Sequence, residues 1–206
     1  NWGLGHASRL IPVIRKLDQK GYKILIAGEG NAMKLLQNEF PGFYFFDFRG
    51  FKIRYSRYFP LALKLFFLLP RILIGIKRER RQLNNMINEY MIDIVISDNR
   101  FGLWSKKAYC IYLTHQVMIK MPGLFKPFQK IIHLFHKGYM KKYDECWIPD
   151  YPDSPGLAGD LAHLYPIPEN AQYIGILSRF SDQHLNAIDF KSYDLLVILS
   201  GPEPQR

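Results

Sequence analysis

Residues 1–27 read NWGLGHASRLIPVIRKLDQKGYKILIA, and the order of their parts sets the class of fold. Gly3 and Gly5 lie in a short polar opening, Asn1 to His6, which reads as a loop. From Ala7 to Lys20, the residues Leu10, Ile11, Val13, Ile14 and Leu17 recur at the spacing that gathers side chains on one face of a helix. Gly21 supplies its stop. Tyr22 to Ala27 (YKILIA) is then a short, largely apolar run with the length of a buried strand. A helix feeding a short buried strand is half of a βαβ unit, and such units build parallel sheets.

The same alternation continues toward the C-terminus. GEGN opens a helix over Ala32 to Asn38, Pro41–Gly42 ends it, and FYFFDF (Phe43 to Phe48) reads as the next strand. A basic, aromatic loop follows from Arg49 to Tyr58. Phe59 to Tyr90 is largely helical, apolar first and charged later, with a kink or break expected at Pro70. IDIVIS (Ile92 to Ser97), AYCIYL (Ala108 to Leu113), ECWI (Glu145 to Ile148) and Ala171 to Ile174 read as further strands, and Leu124 to Lys142 as a helix. The Pro-, Gly-, Asp- and Ser-rich stretch from Asp150 to Pro168 reads as a long loop. The expected class is therefore α/β, a Rossmann-like, doubly wound parallel sheet.

The ends break this rhythm. A Rossmann glycine turn should follow a strand, and LLVIL-SGPEPQR (Leu195 to Arg206) should lead into a helix. The expectation is a domain over residues 1–180 lacking its first strand, a linker over 181–194, and the first strand and loop of a second, truncated domain over 195–206.

Composition is that of a globular chain: 206 residues, 48% hydrophobic and 22% charged, enough to bury a sizeable core. Cys110 and Cys146 both sit in apolar runs without a second Cys or His at metal-site spacing, so they read as reduced core thiols of a cytosolic protein. The opening residues hold no apolar signal-peptide core, and a cytoplasmic location is expected. The net charge of +10 implies attraction to something anionic, whether nucleic acid, membrane surface or phosphorylated substrate. KRERR (Lys77 to Arg81) and the pairs Lys106–Lys107 and Lys141–Lys142 carry much of it.

Glycine spacing narrows the chemistry. Gly3 and Gly5 permit a tight turn, and a helix N-terminus behind it presents amide N–H groups to anions or polar oxygens. The third glycine of the dinucleotide fingerprint would fall at Ser8, which argues against a dinucleotide cofactor. The whole string NWGLGHASRLIPVIRKL, however, resembles the first loop and helix of two-Rossmann-domain (GT-B) glycosyltransferases, including UDP-glycosyltransferases and bacterial lipid-linked N-acetylglucosaminyltransferases. ISDNRFGLWS, YLTHQ, DECWIPDYP and YIGILSRF resemble successive strand ends of one bacterial branch of them.

The resemblance implies a metal-independent enzyme with no resident cofactor. It would use a nucleotide sugar, a UDP-sugar in the first instance, as co-substrate and transfer the sugar to an acceptor hydroxyl. Such an enzyme must deprotonate the acceptor and stabilise the leaving diphosphate. No D-x-D motif is present, so a metal-dependent site has no support in the sequence. His6 is the expected general base, its ordinary pKa of ~6.5 suiting the task, with a helix-capping role as the bland alternative. By the resemblance, Asp98 after IDIVIS orients that histidine; an Asx turn is its structural alternative. Gly3, Gly5, Ser8, Asn99, Arg100 and His115 are expected to contact the acceptor. Ser8 would do so through its N–H and Arg100 through a phosphate, and His115 is the alternative base. Ser200 and Gly201 are the expected donor contacts, although Pro202 and Pro204 make that loop a poor amide cradle. His133, His136, His163 and His184 are expected to be structural or exposed, and Arg9 a surface residue.

The most apolar stretch, FPLALKLFFLLPRILIGI (Phe59 to Ile76), is interrupted by Lys64, Pro70 and Arg71 and does not read as a membrane span. Either it lies on an anionic membrane surface, peripheral at the inner face, to collect a lipid-linked acceptor, or it is an ordinary buried helix with a solvated basic end. Two further readings stay open. One is a non-catalytic Rossmann-like module binding an anionic ligand or nucleic acid, for which FRGFKIRYSRYF (Phe48 to Phe59) has a suitable composition. No nucleic-acid fold motif accompanies it, so nucleic acid is not the expected partner. The other is a sugar-nucleotide epimerase.

Overall fold

In the computed structural model, which describes residues 3–48, 50, 61–120 and 123–180, the first helix, α1, spans Leu4–Gln19. It starts earlier than the two glycines suggest. Gly3 alone turns the chain, in the left-handed region at φ 109°, where a side chain would be strained. One such residue suffices, so Gly5 and His6 fall in the first helical turn rather than in a loop. A Cβ on Gly5 would meet nothing within 4 Å. α1 also runs through Pro12, which leaves the Ser8 carbonyl without its usual intrahelical donor.

The chain divides into two units, Asn1–Phe48 with Leu177–Arg206 and Arg49–Ile176. In the first, strand β1 (Leu25–Gly28) is followed by helix α2 (Gly30–Glu39) and strand β2 (Tyr44–Asp47). β1 and β2 pair in parallel, with Leu25 opposite Tyr44 and Gly28 opposite Asp47. The core joins Ala7, Ile11 and Ile14 of α1 to Ile26, Leu36 and Phe40, and burial of these aliphatic faces is what holds the helices to the ribbon. Arg15 of α1 pairs with Glu39 and donates to the Arg179 carbonyl at 3.1 Å.

The second unit begins with the long helix α3, Leu61–Tyr90, which continues through Pro70 without the expected break. Strands β3 (Ile94–Asp98), β4 (Tyr109–Leu113), β5 (Glu145–Ile148) and β6 (Ala171–Tyr173) follow. They form one sheet in the order β3-β4-β5-β6, and every pair is parallel. The helix expected over Leu124 to Lys142 is divided into a 3-10 turn, Gly123–Phe128, and α4, Gln129–Met140. Pro127 accounts for the division, since it cannot donate the bond that would continue an α-helix backward. The loop expected from Asp150 to Pro168 contains a single helical turn, α5, Asp160–His163.

Cys110, Tyr112, Met140, Tyr143 and Cys146 form one core of this unit, and Val117, Ile148 and Ala162 another. Both cysteines are buried free thiols, and burial pushes the Cys146 thiol up to about 12 against the opposing hydrogen bond from Asn170. The fold is thus α/β with parallel strands in two sheets. Among the described residues no helix is long and apolar enough to cross a membrane. The expected linker over 181–194, the strand Leu195 to Leu199 and nearly all of FRGFKIRYSRYF lie outside the described residues.

Candidate functional site

Two sets of polar residues stand where the elements end. In the first unit they gather on the opening turn of α1. Gly3 is the N-cap and makes no side-chain capping bond; its carbonyl accepts from the Ala7 amide at 2.9 Å. The Leu4 and Gly5 amides precede the helix's own hydrogen bonding. Ser8 does not, because in a helix begun at Leu4 its N–H is directed to the Leu4 carbonyl. The Ser8 amide, expected to contact substrate, lies inside the helix because of this early start.

His6 is partly buried, and the guanidinium of Arg9, one turn on, places Nη2 2.6 Å from its Nδ1. A guanidinium has only protons to offer, so Nδ1 must be the acceptor, and the neutral ring then carries its proton on Nε2. Arg9, expected to be a mere surface residue, thus decides which nitrogen of His6 is basic. The signal was their three-residue spacing, which becomes informative once the helix is known to include His6.

In the second unit the residues expected from the strand ends do lie at carboxyl ends of parallel strands. Asp98 closes β3. Asn99 follows in the left-handed region at φ 53°, a conformation asparagine tolerates better than most side chains. Its amide donates to the Leu113 carbonyl at 2.9 Å. Its Oδ1 accepts from the Tyr112 and Thr114 hydroxyls, both at 3.1 Å. Thr114 is buried at the end of β4, and His115, beside it in sequence, is partly exposed. Asn99 therefore ties the β3 and β4 ends together, a bracing role its sequence position did not reveal.

Arg100 is directed elsewhere. Its Nη2 pairs with Glu79 of α3 at 2.8 Å, and its carbonyl accepts from the Ser97 and Tyr143 hydroxyls at 3.1 and 2.5 Å. Gly102 lets this segment lie against α3, since a Cβ there would stand 2.8 Å from Glu79 Cβ and from the Ile76 carbonyl oxygen. The expected phosphate contact by Arg100 thus competes with a partly buried ion pair.

Sequence reading missed a third constellation altogether. Asp150, fully buried beyond β5, accepts at Oδ1 from the Tyr151 and Leu157 amides, both at 2.8 Å. At Oδ2 it accepts from the Ala158 amide at 2.9 Å and meets His163 Nε2 at 3.2 Å. The other face of this histidine stacks on Tyr173, ring centroids 5.1 Å apart. Burial by itself would raise the Asp150 pKa; the Leu157, Ala158 and Tyr151 amides and His163 outweigh it and hold the carboxyl below its ordinary value. His163 is structural, as expected, but partnered rather than isolated. The thirteen-residue separation of Asp150 and His163 matches no ligand spacing, so only the path of the loop joins them.

Ser200 and Gly201 lie outside the described residues, as does His184. His6 and Asp98, the two expected catalytic residues, belong to different units. Among the described residues no group of three or more His, Cys, Asp or Glu side chains is arranged to hold a metal ion. Comparison with protein families, curated proteins and solved structures gives no match.

Proposed function

We propose that the chain is the acceptor-binding portion of a nucleotide-sugar-dependent glycosyltransferase of the GT-B type, its strands belonging to a Rossmann-like, doubly wound arrangement. The observation that carries this reading is the set Asp98, Asn99 and His115 at the carboxyl ends of parallel strands, where open α/β sheets take their ligands. The resemblance of NWGLGHASRLIPVIRKL to the family's first loop and helix supports it.

The reaction in this reading is a direct displacement. A base removes the acceptor hydroxyl proton, the acceptor oxygen forms a bond to the anomeric carbon, and the bond to the nucleotide diphosphate breaks, its electron pair leaving with the phosphate oxygen. His6 is the proposed base, with Asp98 as the second catalytic residue. Because Arg9 occupies the Nδ1 lone pair, that nitrogen can take the acceptor proton only when the guanidinium moves. An anionic substrate would draw Arg9 away and free the base at the moment of binding. Gly3, Gly5, Asn99 and His115 are proposed acceptor contacts, and Ser200 and Gly201 donor contacts.

The test is turnover of UDP- and dTDP-sugars by the full-length protein, wild type against His6→Ala. Loss of transfer in the variant supports the reading and the base. Transfer that survives keeps the class and moves the base to His115 or the substrate. No turnover with any donor favours a non-catalytic module that holds an anionic ligand.

A further inference from the structure

Helix α4 leaves large apolar side chains outside while burying polar ones. Its buried side carries Gln129, His133 and His136 beside Tyr139 and Met140, whereas Ile131, Leu134 and Phe135 are 64%, 58% and 48% exposed. The buried polar groups are not compensated evenly. His133 Nδ1 meets the Val117 carbonyl at 3.3 Å and its ring stacks on Tyr165 at 4.3 Å. Both ring nitrogens of His136 lack a hydrogen-bond partner among the described residues. Three large apolar side chains turned outward gain nothing from that position in water alone.

The exposed residues form a patch rather than a scatter. Positions 131, 134 and 135 are helical neighbours, and the exposed Phe135 ring packs at its inner edge on the buried Tyr139, centroids 5.0 Å apart. Single exposed apolar residues are ordinary; a contiguous stripe marks a contact surface. At about 100° per residue, Lys130 and Lys137, and Lys141 just beyond the helix, fall together on one flank of the stripe. From Lys120 to Tyr143 there are six lysines and no Asp or Glu.

We propose that this face of α4 rests on an anionic lipid surface, the stripe entering the headgroup boundary and the flanking lysines meeting lipid phosphates. Apolar residues on one side of a short helix and lysines at its margin are the two attractions an interfacial helix uses, and lysine stems can lie along apolar surface while their ammonium groups stay at the polar level. A second copy of the chain fits less well, because a two-fold contact through the stripe would bring the same lysine flank toward itself, and the helix between Gln129 and Met140 carries no Asp or Glu to offset the charge. The inference does not depend on the glycosyltransferase reading, and its test measures partition, not turnover.

The experiment is flotation of the full chain with vesicles of phosphatidylcholine alone and of phosphatidylcholine mixed with phosphatidylglycerol. Binding is expected to the mixed vesicles and to weaken with added salt. Ile131→Gln with Leu134→Gln should lower partition about tenfold or more. Lys130→Glu with Lys141→Glu should do the same while leaving the stripe intact, which keeps the test decisive if the first pair disturbs folding. Absence of binding to the mixed vesicles, or binding that neither pair alters, overturns the proposal. A concentration-dependent dimer that the Ile131 and Leu134 changes dissolve also overturns it, by giving the face to self-association.

Discussion

Arg9 Nη2 stands 2.6 Å from Nδ1 of His6, one helical turn away on α1, and this contact fixes the proton of the neutral imidazole on Nε2. The Nε2–H form should accordingly dominate the neutral ring, as read from its nitrogen chemical shifts. In Arg9→Met that bias should relax toward a mixture of both forms. An unchanged spectrum in the variant would show that Arg9 does not set the tautomer. The measurement needs no substrate and stands whether or not the protein proves to be a transferase.

Asp150 should make the fold sensitive to acid. Its folded pKa is depressed, so its contribution to stability is complete above the unfolded value of ~3.9 and is lost as the pH falls through the folded value. Asp150→Asn keeps the size of the side chain but cannot accept at both positions with the same charge, leaving buried donors from Tyr151, Leu157 and Ala158 poorly met. A loss of roughly 2–4 kcal/mol is expected at neutral pH, with a shallower decline in acid. Denaturant titrations of the two proteins at neutral and low pH check both parts.

Gly156 should tolerate no side chain. A Cβ there would lie 2.5 Å from Asp150 Oδ2 and from His163 Nε2, and its φ of +57° is unfavourable for an L-residue. Gly156→Ala is expected to cost about 1–3 kcal/mol. Gly5→Ala, in open space within α1, should be neutral or stabilise by up to about 1 kcal/mol. Thermal melting of both variants distinguishes the steric requirement from a general aversion to losing glycine.

His136 should add a second acid-sensitive element in a higher pH range. Burial pushes its pKa down to about 4, and the nearby His133 adds to the effect. A depressed folded pKa means that the unfolded chain takes up the proton first. Stability is present above the unfolded value of ~6.5 and declines as the pH falls from there toward 4, by on the order of 3 kcal/mol in all. His136→Phe, which removes two unsatisfied nitrogens and retains a ring against Phe101, should flatten the stability profile across that range. A profile as steep as that of the wild type would refute the assignment.

Much of the architecture was legible in sequence because it depends on local periodicity. YKILIA, FYFFDF, IDIVIS, AYCIYL and ECWI each contain a parallel strand, since an apolar run too short for a helix and flanked by turn residues has few other ways to bury itself. The helix starts were less legible. Gly3 and Gly5 look alike in the string GLG, and only the backbone shows that Gly3 alone is left-handed. That difference moves His6 from a loop into a helix and brings Arg9 to it.

What the sequence by itself determined, then, was the alternation of helices and strands and the residues that end them, because both follow from neighbours a few positions apart. The tertiary structure decided which groups meet over longer separations, as with Asp150 and His163, and which side of a helix faces inward. The α4 pattern contains one apolar stripe, Ile131, Leu134 and Phe135, and one bearing His133 and His136; periodicity would bury the first. The helix instead presents the histidines, with Tyr139 and Met140, to the core and Ile131, Leu134 and Phe135 to the surroundings, because what lies beneath the helix, not its own sequence, sets which face has something to pack against.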